Sequence, residues 1–145
     1  MKIALGSDHG GYDLKEAIGR SLAKDGHEII DFGCSGKDSC DYPDYGTGVA
    51  RAVAAAQADR GILICTTGVG MSITANKIRG IRAALCADVL TAKMSRQHND
   101  ANVLVLGAKI VSEALALDIV TEWIAASFEG GRHQRRIDKI KELEK

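Results

Sequence analysis

Gly61-Ile62-Leu63-Ile64-Cys65-Thr66-Thr67-Gly68-Val69-Gly70-Met71-Ser72 is the stretch that decides how this chain folds. Gly61–Cys65 is a short apolar run, the mark of a strand buried on both faces. The glycines after it allow a tight turn, and Met71–Ile78 reads as a short helix. A strand that passes through a glycine turn directly into a helix is the repeating unit of a parallel α/β sheet.

Working outward, the same unit recurs. Lys2–Leu5, Glu28–Phe32, Arg82–Cys86 and Asn102–Leu106 are further short runs rich in Ile, Val and Leu. Helical patterns separate them at Tyr12–Lys24, Tyr45–Gln57, Val89–Gln97 and Ser112–Phe128, and a last helix is expected over Arg132–Glu144. Tyr12–Lys24 places Leu14, Ile18 and Leu22 on one face. Five strand–helix repeats predict a three-layer α/β/α sandwich around a five-stranded parallel sheet, Rossmann-like. Ser35–Asp44, which holds the single proline, Pro43, is the longest irregular stretch. No linker, low-complexity run or solenoid repeat divides the 145 residues, so one domain is expected over 1–145.

Composition narrows the function classes. Nineteen basic residues balance nineteen acidic ones, so nothing in the net charge calls for nucleic acid or a membrane surface. Residues 130–145 are an exception, with six Lys or Arg against three Asp or Glu. No apolar run approaches the roughly 20 residues of a membrane span. The N-terminal MKIALGSDHGG turns polar too early for a signal peptide, so the expected compartment is the cytoplasm. In that reducing setting Cys34, Cys40, Cys65 and Cys86 are expected as free thiols. Neither a CxxC pair nor zinc-type histidine spacing is present, so no metal is expected.

In sheets of this kind ligands bind at the carboxyl ends of the strands, where neighbouring connections leave in opposite directions. If the first strand lies between the second and third, that point falls between Asp8–His9 and Cys65-Thr66-Thr67-Gly68. The second of these turns is neither a Walker A loop, lacking Lys-Ser/Thr, nor a complete G-x-G-x-x-G. Met71 stands where a cysteine phosphatase would carry its arginine. Successive N–H groups and a helix start make the turn a site for an anion or a developing oxyanion. Cys65 reads either as a small hydrophobe closing a buried strand or as a thiolate favoured by the helix start. The second reading suits removal of a proton next to a carbonyl, a reaction that needs no cofactor.

Other residues carry two readings each. Asp8 and His9 are an N-cap and an exposed histidine, or ligands of sugar hydroxyls and phosphate. His98 complements a helix end, or supplies the acid/base that opens a cyclic sugar. Arg132 and Arg136, four apart, are a solvated face, or a clamp on a phosphate dianion. Ile137, Ile140 and Leu143 give that last helix an apolar edge suited to packing, with a partner subunit as the candidate.

Six stretches together resemble the type B ribose-5-phosphate isomerase family, whose relatives act on allose and galactose 6-phosphates. They are GSDHGG (6–11), DYPDYG (41–46), GILICTTGVGMSI (61–73), ANKIRGIRAAL (75–85), SRQHNDANVLVLG (95–107) and EGGRHQRR (129–136). The resemblance implies an aldose–ketose isomerase acting on a small sugar phosphate, without cofactor. It also implies a homodimer or tetramer with active sites shared between subunits. By the same resemblance Cys65 is the base. Thr67 and the loop through Thr66, Gly68, Val69 and Gly70 hold the enediolate. His98 assists ring opening and Asn99 binds the sugar, both reaching across from the partner. Asp8 and His9 contact substrate, while Arg132 and Arg136 hold the phosphate. Two residues depart from the pattern. Thr66 stands where the family usually has glycine, and Lys109 where it often has a phosphate-binding arginine, which costs forked geometry.

Overall fold

The computed structural model describes residues 1–145. Five strands alternate with helices: β1 Lys2–Ser7, α1 Tyr12–Lys24, β2 Glu28–Asp31, α2 Tyr42–Ala54, β3 Arg60–Cys65, α3 Val69–Asn76, β4 Ala83–Leu85, α4 Val89–Asn99, β5 Val103–Gly107, α5 Glu113–Ala125 and α6 Arg132–Glu142. A single 3-10 turn, His9–Gly11, precedes α1. The sheet order is β2-β1-β3-β5-β4, with every pair parallel. β1 therefore does lie between β2 and β3, and the connections diverge between the carboxyl ends of β1 and β3.

Strand side chains alternate between two cores, as the two-residue period requires. Ile3, Leu5, Ile62, Ile64, Leu104 and Leu106 meet α1, α4 and α5, where Trp123 is the largest buried side chain. Ala4, Leu63, Cys65, Val103 and Val105 meet Val49, Ala50 and Ala52 of α2 and Met71 and Ala75 of α3. Cys65 thus faces the α2–α3 layer. These layers make the three-layer sandwich predicted from the sequence.

Local chemistry explains where boundaries differ from expectation. α2 begins at Tyr42 rather than Tyr45, because Pro43 sits in the first turn, where its missing N–H has no ladder partner to lose. β4 is only three residues long. The N–H of Arg82 donates to Asn102 Oδ1 at 2.8 Å and that of Ala83 to Asn76 Oδ1 at 2.9 Å, so side chains replace strand pairing there. α5 stops at Ala125, since Ala126 is extended.

Lys15 pins α1 to the edge strand. Its side chain is 1% exposed, and Nζ lies 2.6 Å from Asp31 Oδ2 and 3.1 Å from Glu16 Oε1. Burial alone would lower its pKa; the two carboxylates outweigh burial and raise it. α6 lies against α4 of its own chain through His133 and Ile137, both buried. Ile140 and Leu143 remain 45% and 84% exposed. No helix is long and apolar enough to cross a membrane.

Candidate active site

Backbone bonds tie the carboxyl ends of three strands together. The N–H of Asp8, after β1, donates to Ile64 O of β3 at 3.3 Å. Those of Ala108 and Lys109, after β5, donate to Cys65 O and Thr66 O at 2.9 and 3.0 Å. Gly107 has to be glycine: a Cβ there would stand 2.5 Å from Thr67 O, so β5 backs directly onto the turn. Gly68 is left-handed (φ 83°) and caps α3, which starts at Val69, two residues earlier than expected. Val69 N–H donates to Thr67 Oγ1 at 3.4 Å. The N–H groups of Gly70 and Met71 belong to the first helical turn, where donors have no partner within the helix. Cys65 itself is buried, while Thr67 and Val69 are exposed.

The facing turn is equally constrained. Asp8 is 7% exposed, and its Oδ1 accepts from Gly11 N–H at 3.1 Å. His9 Nδ1 accepts the backbone N–H of Cys40 at 3.2 Å. An acceptor at Nδ1 leaves the proton of the neutral ring on Nε2. Thr66 Oγ1 stands 2.5 Å from where a side chain on Gly10 would begin, so Thr66 packs directly on the Asp8–Gly10 turn. The structure therefore gathers Asp8, His9, Cys65, Thr66, Thr67, Gly68, Val69, Gly70 and Lys109 at one end of the sheet.

His98, Asn99, Arg132 and Arg136 belong to a second group. α4 runs back across the sheet and ends before β5 begins, so its last turn lies at the opposite, amino end of the strands. Asn99 O accepts from Arg82 Nε, just before β4, at 3.0 Å. An 11-residue helix is about 16 Å long, which sets the scale of the separation from Cys65. One chain does not bring the predicted set together; it holds nine of the thirteen residues at one pole and four at the other.

Residues not singled out from the sequence complete both groups. The Tyr42 ring lies against Gly70 at the start of α3. His133 stacks on His98, with ring centroids 4.3 Å apart and planes 11° from parallel, and Glu129 Oε1 lies 3.6 Å from His98 Nε2. The quoted motifs EGGRHQRR and DYPDYG contain these residues, but only tertiary packing gives them a place. His98, Glu129 and His133 present three ligand atoms within 4.8 Å of one another. Rings stacked this way do not share a plane, so their nitrogens do not converge on an ion about 2.0–2.1 Å from each.

Burial, then the neighbouring His98 and Arg132, lower the pKa of His133 from the ordinary 6.5. The unfolded histidine takes up its proton first, so this pairing loses stability as pH falls through 6.5. Amide exchange in α6 is expected to quicken relative to α1 below that pH and to stay level above pH 7. An α6 equally protected at about pH 5.5 would contradict it. Among the thiols, burial pushes Cys86 up to about 11 and keeps it a neutral core group.

The model of a family described as ribose/galactose isomerase matches residues 3–140. The chain belongs to the ribose/galactose isomerase family. It is 50% identical over 143 residues to ribose-5-phosphate isomerase B of Escherichia coli, covering 99% of this chain and 96% of that protein. The structure of ribose-5-phosphate isomerase B from Clostridium thermocellum superposes with a TM-score of 0.99 at 58% identity, covering 99% and 97% of the two chains. That of the Mycoplasma genitalium ribose-5-phosphate isomerase B with bound ribulose-5-phosphate superposes with a TM-score of 0.94 at 43% identity, covering 99% and 95%. Membership of this family makes the chain an isomerase, and its fold is theirs.

Proposed function

We propose that this chain interconverts D-ribose 5-phosphate and D-ribulose 5-phosphate through an enediolate, with Cys65 as the base. The observation that carries the reading is the Cys65–Gly70 turn, with Gly68 left-handed before α3 and Asp8–His9 opposite. Two copies of the chain supply each site. His98 of a second copy gives a proton to the ring oxygen, the anomeric hydroxyl releases its own to water, from which His98 is reprotonated, and Asn99 beside it binds the opened sugar. The Cys65 thiolate takes the proton from C2, and the C–H electrons move to the C1 carbonyl oxygen. Thr67 and the N–H groups of the turn hold that oxygen; each such donor is worth about 3–4 kcal/mol. Transfer of the hydroxyl proton from O2 to O1 and return of the thiol proton to C1 complete the ketose. Arg132 and Arg136 grip the phosphate with forked hydrogen bonds, assisted by Lys109 as a point charge.

Ile140 and Leu143, exposed at the end of α6, are the edge that the second copy covers. Thr66 bears on sugar length. Its side chain packs on Gly10 and fills space beside Asp8, which favours a five-carbon over a six-carbon substrate.

Equilibration of ribose 5-phosphate with the protein in deuterium oxide tests the chemistry. Over many turnovers deuterium is expected at C1 of the ketose and C2 of the aldose, by proton NMR. Deuterium enters because the thiol proton exchanges with solvent in part of the turnovers, so a pool that stays wholly protiated after many turnovers would contradict this reading in favour of a hydride shift.

A further inference from the structure

The amino end of the sheet carries a cluster of charge that the isomerase reading leaves unused. Arg60 opens β3, Arg82 precedes β4 and Arg96 lies in the last turn of α4. With Asp59, Asp100 and Asn102 they line an open, polar cavity of about 530 Å³. Two of the guanidiniums share one platform: Cζ of Arg60 and of Arg96 lie 5.4 and 6.0 Å from the centre of the Trp123 ring. Burial first, and then the neighbouring Arg96, pull Arg60 down to about 10.

The protein takes up only part of the donors. Arg60 Nη1 donates to the carbonyls of Trp123 and Ile124, each at 3.3 Å. Arg82 spends Nε and Nη2 on Asn99 O and Asp100. Arg96 spends Nη1 on Asp100 Oδ1 at 2.8 Å and Ala101 O at 2.7 Å. Arg96 is 6% exposed, and its Nε is buried without a partner. Asp100 is already shared by two arginines, and Asp59 Oδ2 accepts from Lys2 N–H at 2.7 Å. The α-amino group of Met1 completes the lining and bonds His27 Nδ1. Three arginines against two carboxylates leave the lining net positive.

We propose that this cavity is a binding site for a small oxyanion of the phosphate class, held between Arg60, Arg82 and Arg96 above Trp123. A phosphate group suits a net positive lining, and its oxygens suit forked guanidinium donors. The cavity also has room for a phosphate monoester, since ligand sites of roughly 300–1,000 Å³ hold whole small molecules.

Trp123 is the only tryptophan in the chain and carries Arg60 and Arg96 over its ring, so its fluorescence reports on those two guanidiniums. Titration with orthophosphate, and separately with glycerol 3-phosphate, is expected to change that fluorescence saturably, where sodium chloride at equal ionic strength does not. The tighter of the two identifies the occupant as free anion or ester. Arg60→Gln is expected to weaken binding by about tenfold or more, as loss of a charge-assisted fork does. Asp59→Asn keeps the acceptor for Lys2 N–H and removes one opposing charge, so it is expected to tighten binding several-fold. That gain cannot come from a damaged fold. The Arg132→Ala/Arg136→Ala double variant is expected to keep the response. A response that sodium chloride reproduces, that disappears in the double variant, or that ignores Asp59→Asn would overturn the proposal.

Discussion

Cys65→Ala protein is expected to fold, dimerise and lose about 10³-fold or more in turnover, the usual scale for removing a positioned base. The side chain is buried among Leu63, Met71 and Ala75, so deleting sulfur leaves only a small void, costing about 1 kcal/mol. Cys65→Ser separates chemistry from packing. Serine fills the same space, but its hydroxyl is a far weaker acid, so it too should be inactive. Denaturant unfolding and ketose formation, measured on both variants, provide the check. Near-normal turnover in either would remove Cys65 from the chemistry.

The second large effect is a rescue. Cys65→Ala and His98→Asn proteins are each expected to be nearly inactive on the cyclic sugar. Unfolded together in equal amounts and refolded, they should recover about a quarter of wild-type activity. Half of the dimers are then mixed, and each mixed dimer rebuilds one intact site of two. The prediction rests on α4, which carries His98 to the pole opposite Cys65. No recovery from dimers shown to be mixed would mean that each chain builds its own site.

How much of this was legible beforehand follows physical lines. Strand and helix identity, sheet direction and the switch point were readable, because buried parallel strands are short apolar runs and their order is restricted by connection rules. The Cys65–Gly70 turn was readable as a turn because its glycines permit the left-handed passage at Gly68 into α3, whereas Cys65 alone reads equally as a small core residue. The edges of elements were less legible. Pro43 suits a loop and a first helical turn equally well, and only the structure shows α2 starting there. β4 is cut short by Asn76 and Asn102, whose side chains compete for its N–H groups over distances that sequence spacing does not reveal. The stack of His133 on His98 and the bond from Cys40 N–H to His9 Nδ1 each join residues far apart in the chain. They depend on how α6 and the 32–41 loop dock, which no local pattern encodes. The same holds for Arg60 and Arg96 over Trp123, which come from β3 and α4 and meet on α5.

The most direct test is ketose formation from ribose 5-phosphate by the purified protein, with allose 6-phosphate run in parallel. The account predicts fast turnover of the five-carbon sugar and little of the six-carbon one. Folded protein that converts neither sugar would contradict it.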